Sequence, residues 1–224
     1  MEEIDRPNGG EAPESCPEHE PPARRWLSVV EALLLGIVAI ATAWGGYQAA
    51  RWSGLQATKF NEASTMRVQA DLDSTRAGQL ALYDVLMFNQ WLDAQATGRT
   101  QSATNFEQHF RAEFRPAFQA WLATDPLHNP QAPSSPIFMP QYKLTLQEQA
   151  NQLEANAIKT FGEGEAANRQ SESYVLNAVF LATALFFLSI GQRFQWLPVR
   201  AAVLVAALGM VVFGIYHLLT YPVY

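Results

Sequence analysis

Three stretches of this chain are apolar enough to live in lipid: Trp26 to about Gly46, Tyr174 to about Ile190, and Val199 to about Leu219. At about 1.5 Å of rise per residue, each approaches the roughly 20 residues a helix needs to cross about 30 Å of hydrocarbon. The expected fold is therefore all-α. Transmembrane helices over residues 24–46, 174–191 and 199–220 leave a polar insert, residues 47–173, between the first and second spans and a short loop at 192–198. A chain of 224 residues has room for this membrane unit and one helical domain, and not for a second independent core.

The net charge of −6 is set largely by Glu2, Glu3, Asp5, Glu11, Glu14, Glu18 and Glu20, which share a Pro/Gly-rich leader. Such a segment buries too little apolar surface to offset its ordering entropy, so residues 1–23 are expected to be disordered. An acidic chain without a basic stripe gives nucleic acid no electrostatic footing. Cys16 stands alone, which excludes an internal disulfide and a cysteine metal site. Ala41-Thr42-Ala43 has the small-x-small form of a processing site. The acidic leader, Glu31 within the apolar run and the small-residue pattern continuing past the cut favour an uncleaved signal anchor instead.

Lys and Arg are retained on the cytoplasmic side of a membrane. Arg24 and Arg25 precede the first span, and Arg193 and Arg200 bracket the loop between the second and third, whereas Arg51 and Arg169 are the nearest cations at the other ends. The expectation is a multi-pass protein of the cell inner membrane with a cytoplasmic N-terminus and residues 47–173 outside the cytoplasm. Trp26 and Trp196 would mark one headgroup level, and Trp44, Tyr47, Tyr174, Tyr216 and Tyr221 the other.

Within the insert, residues 47–96 contain no proline, so the first span is expected to continue as a long helix, with Gly78 the natural place for a kink. Gly98 is placed to end it in a left-handed conformation. A second helix is expected from about Ala103 to Ala123, kinked at Pro116. Pro126, Pro130, Pro133, Pro136 and Pro140 then stiffen a loop over residues 125–141, and a third helix from about Lys143 leads into the second span, loosened at Gly162 and Gly164. The absence of period-two alternation predicts no strand. Together these tracts make a membrane-attached antiparallel helical bundle.

Phe106, Phe110, Phe114 and Phe118 recur every four residues and predict one aromatic ridge, read chiefly as a core face rather than a ligand slot. Small residues at Gly36, Ala39, Ala43, Gly46, Ala50, Gly54 and Ala57 share one side of the first helix and predict a close helix contact. That contact is expected mostly within the chain, with a homo-oligomer as the other user.

Glu31, Asn177 and His217 are the intramembrane polar candidates. An acid in lipid suggests an ion path or partner contact unless it is neutralised, and Glu31 lies within reach of Arg25, Arg193 or Arg200. Asn177 and Thr183 are suited to bonds between helices. His109 and Glu113, four apart with Glu107 nearby, supply too few ligands for a metal site, so neither a metal nor another cofactor is expected. No nucleophile elbow, phosphate loop or zinc helix motif occurs, and the chain is expected not to be an enzyme.

The stretches YQAARWSGLQATKFNEAS, FNQWLDA, FRPAFQAWLATDP and SPIFMPQY resemble those of uncharacterised bacterial membrane proteins with one span, a helical insert and two terminal spans. The resemblance covers roughly residues 26–220 and implies an architecture without an activity. The topology also resembles chemoreceptors, whose helical ligand-binding bundle lies between two spans, but no signalling module follows the second span. The function expected from these observations is a membrane-anchored sensor or scaffold for an unknown ligand or protein partner. The alternative is an oligomeric channel or transport subunit with Glu31 near its pore.

Overall fold

The computed structural model describes residues 22–191, 193 and 196–224. The expected disordered tail, including Cys16 and His19, lies outside these residues as far as residue 21, as does part of the 192–198 loop. Five helices, α1 (Pro22–Ala96), α2 (Thr100–Gln108), α3 (Arg115–Leu122), α4 (Thr145–Gly191) and α5 (Leu197–Thr220), account for most of the described chain. A single 3-10 turn spans Pro136–Phe138, and no strand is present among the described residues. Three helical segments are long and apolar enough to cross a membrane, within Val29–Ala96, Thr145–Gly191 and Pro198–Thr220.

The chain divides into two compact units. One runs up to Gln48 and resumes over Ser173–Val223; the other is Ala49–Glu172 with Tyr224. Both α1 and α4 pass through this division without interruption.

In the apolar unit, Val38, Ala41, Leu181, Ala184, Leu188, Ala207 and Val211 form the buried core of a three-helix cluster. The helix face that α1 turns to its neighbours carries Glu31, Val38, Ala41, Gly45 and Gln48. A Cβ added to Gly45 would lie 3.7 Å from Leu218 and 3.8 Å from Ala178, so this glycine marks a close approach. The small-residue stripe is not that face. Gly36, Ala39, Ala43, Gly46, Ala50 and Gly54 are all exposed, and a Cβ on Gly36, Gly46 or Gly54 would meet nothing within 4 Å. The expected intramolecular packing of the stripe is thus corrected. Both sides of α1 are small or apolar, and the side that must also satisfy the Glu31 carboxylate is the one that packs.

In the polar unit, α1 and α4 run antiparallel. Ser171 Oγ donates to the Ala49 carbonyl at 2.9 Å, Lys59 pairs with Glu163 at 2.9 Å, and Ser74 Oγ donates to Gln147 Oε1 at 3.2 Å, in that order along the pair. Small buried residues line the seam at seven-residue spacing: Ala63, Ala70 and Ala77 on α1, with Ala150 and Ala157 on α4. Gly164 continues the α4 series. A Cβ there would lie 2.6 Å from the Phe60 ring, which stacks on Phe161 at 4.8 Å. A strict seven-residue repeat of small side chains permits close antiparallel packing without a large apolar face.

The punctuation differs from expectation in three places. Helix α1 is unbroken at Gly78, and α4 is unbroken at Gly162 and Gly164, because packing along the seam holds a backbone that glycine alone would loosen. Pro116 produces a new start rather than a kink. The helix expected from 103 to 123 is two helices, with Pro116 in the first turn of α3, where its missing N–H is no loss. Gly98 does end α1 in the left-handed region, at φ +68°. Arg99 N–H donates to the Ala94 carbonyl at 2.8 Å and Gly98 N–H to that of Gln95 at 3.1 Å, a Schellman closure reinforced by an Arg99–Asp93 ion pair.

Candidate functional site

The most elaborate polar constellation is in the second unit, at the carboxylate of Asp84 on α1. Arg111, in the turn between α2 and α3, grips it with two bonds, Nε to Oδ1 at 2.9 Å and Nη2 to Oδ2 at 2.6 Å. The Tyr142 hydroxyl, just before α4, donates to Oδ2 at 3.1 Å. Arg111 Nη1 also reaches Glu113 Oε2 at 2.9 Å, and Thr145 Oγ1 donates to Glu113 Oε1 at 2.7 Å. Two segments, the α2–α3 turn and the approach to α4, therefore close on one buried acid of α1, whose side chain is 1 % exposed.

Burial, seconded by the Asp84 charge, pushes the Tyr142 phenol up to about 12. The hydrogen bond from Thr145, followed by that from Arg111, holds Glu113 below the usual carboxylate range. Hydrogen bonding to Asp84 raises the Arg111 guanidinium further against its desolvation. The phenol, the Glu113 carboxylate and the guanidinium are thus each held in their ordinary charge state at neutral pH. With three donors on Asp84, the chemistry available is that of a clasp rather than of a proton carrier.

Beside the clasp lies an aromatic cluster of Phe88, Trp91, Phe110, Phe114, Phe118 and Trp121. Phe110 meets Phe114 at 5.1 Å and Phe118 at 4.7 Å, both edge to face, and Trp91 meets Phe118 at 4.9 Å. Three of the four ridge residues are therefore together: Phe114 and Phe118 stand one turn apart at the start of α3, with the Phe118 N–H on the Phe114 carbonyl at 3.0 Å, and Phe110 joins them from the turn before it. Phe106 is half-buried at the cluster's margin. Trp121 Nε1 donates to the Pro133 carbonyl at 2.6 Å, tying the proline-rich loop to the rings. The larger concavities nearby are surface grooves, one of about 510 Å³ between Tyr83, Met87, Asn105 and Phe106 and one of about 400 Å³ beside Glu107, Gln108 and Arg115.

In the first unit, Glu31 is 2 % exposed and lies against Arg200, which reaches Oε1 from Nε at 3.1 Å and Oε2 from Nη2 at 2.8 Å. Arg200 is one of the arginines considered from sequence as a partner for this acid. Asn177 is buried and donates from Nδ2 to the Gly214 carbonyl at 3.1 Å, linking α4 to α5. Thr183, by contrast, bonds its own helix, at the Val179 carbonyl. His217 is half-buried with its ring 4.4 Å from Phe213 and 5.4 Å from Tyr221. His109 and Glu113 go to different partners, since His109 Nδ1 lies 2.7 Å from the Asn105 carbonyl. Among the described residues no group of three His, Cys, Asp or Glu side chains is arranged to hold a metal.

Sequence reading singled out neither Asp84 nor Arg111. An isolated Asp in a helix and an Arg beyond it, 27 residues apart in sequence, carry no periodic signal, and only the fold of α2 and α3 brings them together. In comparison with known proteins the chain matches no family model, no curated protein and no solved structure.

Proposed function

We propose that this chain is a non-enzymatic multi-pass protein of a bacterial inner membrane, N-terminus in the cytoplasm, whose helical domain outside the cytoplasm senses a ligand or scaffolds a partner complex. The observation that carries this reading is that α1 and α4 each run without a break from the lipid-compatible unit into the polar one. Two helices of that kind are a direct mechanical link between an external domain and its anchor. The disposition of charge supports the same reading. Asp84 and Glu31, the most deeply buried acids among the described residues, are each held by an arginine, which favours a structural role for both over turnover chemistry or ion passage.

The test has two arms. In cells, a cysteine reagent unable to cross the bilayer should label a Ser134→Cys variant and miss Cys16, and the reverse pattern would refute the orientation. In liposomes, the purified protein should give no ion flux. A flux that disappears in Glu31→Gln, with the protein still inserted, would establish the channel alternative in place of the scaffold.

A further inference from the structure

The large apolar residues that α1 exposes within the polar unit are not scattered. Val68, Leu72, Leu82 and Leu86 are 58, 47, 65 and 63 % exposed. With Thr75 and Gln79 they follow steps of four and three, and at about 100° per residue they form one straight stripe. The stripe lies opposite the face on which α1 packs inside its own unit, the face of Ala63, Ala70, Ala77 and Asp84. Apolar side chains gathered on one unpartnered face of a helix, rather than scattered singly, are the pattern of an interaction surface.

We infer that this stripe is the contact through which two copies of the chain form a parallel dimer, α1 against α1. The inference rests on the membrane reading above, because two copies threaded through one bilayer in the same sense present their α1 helices parallel. Its independent support is charge. In a parallel helix pair, a residue flanking the seam on one helix meets the residue five places later on the other. Here the seam of Val68, Leu72, Thr75, Gln79, Leu82 and Leu86 is flanked by Asp71 on one side and Arg76 on the other, both exposed and five apart. Within its own copy, Asp71 has no partner among the described residues, and Arg76 reaches only Asp73, at 3.8 Å. Two-fold symmetry would form the Asp71–Arg76 pair twice. Thr75 and Gln79, polar residues at the centre of the seam, would fix its register at some cost in stability.

The test uses the full chain in membranes, with Cys16→Ser to remove the native thiol. Under mild oxidation, Leu72→Cys and Leu82→Cys should each form a disulfide-linked dimer, several-fold more than Ala155→Cys, which is exposed on α4. In the Leu82→Cys background, Arg76→Asp should lower the yield several-fold by setting like charges together, and adding Asp71→Arg should restore it. No dimer at 72 and 82, equal yields at 155, or linkage to a protein of another size would overturn the proposal, and failure of the double swap to restore would overturn the register. Alkaline carbonate washing separates this from failure of the membrane reading. A chain that remains in the membrane pellet without cross-linking refutes the dimer alone, and a chain washed into the supernatant refutes the reading beneath it.

Discussion

Asp84 is where a single substitution should do most harm. Its carboxylate is buried with Arg111 as its counter-charge, so Asp84→Asn leaves the partly buried guanidinium with Glu113 as its one remaining acid, a loss approaching the about 3–5 kcal/mol of a broken buried pair. Denaturant unfolding, read from the tryptophan signal of Trp91 and Trp121, should show that loss. Replacing both partners together, Asp84→Leu with Arg111→Met, should cost less than Asp84→Asn alone. The same site sets the pH limits. For Tyr142 the unfolded phenol ionises at 10.0 and the folded one at about 12, so its contribution is complete below 10 and is lost as pH rises between the two values. For Glu113 the folded value lies below the ordinary 4.5, so its contribution is present above that value and is lost as pH falls through the folded one. Melting temperature against pH should therefore fall at both ends. Tyr142→Phe should flatten the alkaline limb and Glu113→Gln the acid limb, and an unchanged alkaline limb in Tyr142→Phe would show that the phenol is not shifted.

Two glycines in α4, two residues apart, should respond oppositely to the same substitution. At Gly162 an added Cβ meets nothing within 4 Å, so Gly162→Ala should stabilise by roughly 0.5–1 kcal/mol through helix propensity. At Gly164 the same methyl would lie 2.6 Å from the stacked Phe60 ring and 3.3 Å from Lys59 Cβ, so Gly164→Ala should destabilise by about 1–3 kcal/mol. Thermal melts of the two variants side by side decide the matter. In the sequence these two residues look alike, both places for the helix to loosen, because composition cannot distinguish a glycine facing solvent from one inside a seam. The helices themselves were legible, since long proline-free tracts and apolar spans leave few alternatives. The seam of Ala63, Ala70, Ala77, Ala150 and Ala157 was not, because alanine and its polar neighbours hardly raise local hydropathy however regular their spacing. The small-residue stripe was easy to see, but its contact, expected mostly within the chain, is not made there, for the same reason: spacing defines a face without saying what the face meets.

For the molecule as a whole, the division at Ala49 and Glu172 predicts that residues 49–172 alone are soluble, helical and cooperative in unfolding, with the raised Tyr142 phenol intact in an ultraviolet titration. Aggregation, or melting without cooperativity, would show that the polar unit depends on its anchor. The Glu31–Arg200 pair has a different consequence, for biogenesis in the membrane setting proposed above. Glu31 belongs to α1 and Arg200 to α5, so in that setting the acid reaches the bilayer well before its partner. Until α5 arrives, the acid of α1 lacks its counter-charge, at a penalty for insertion. Release of a nascent chain truncated before residue 197 should thus produce a poorly retained product and a natural target for membrane proteolysis, while synthesis of the final helix acts as the checkpoint that commits the protein to the lipid.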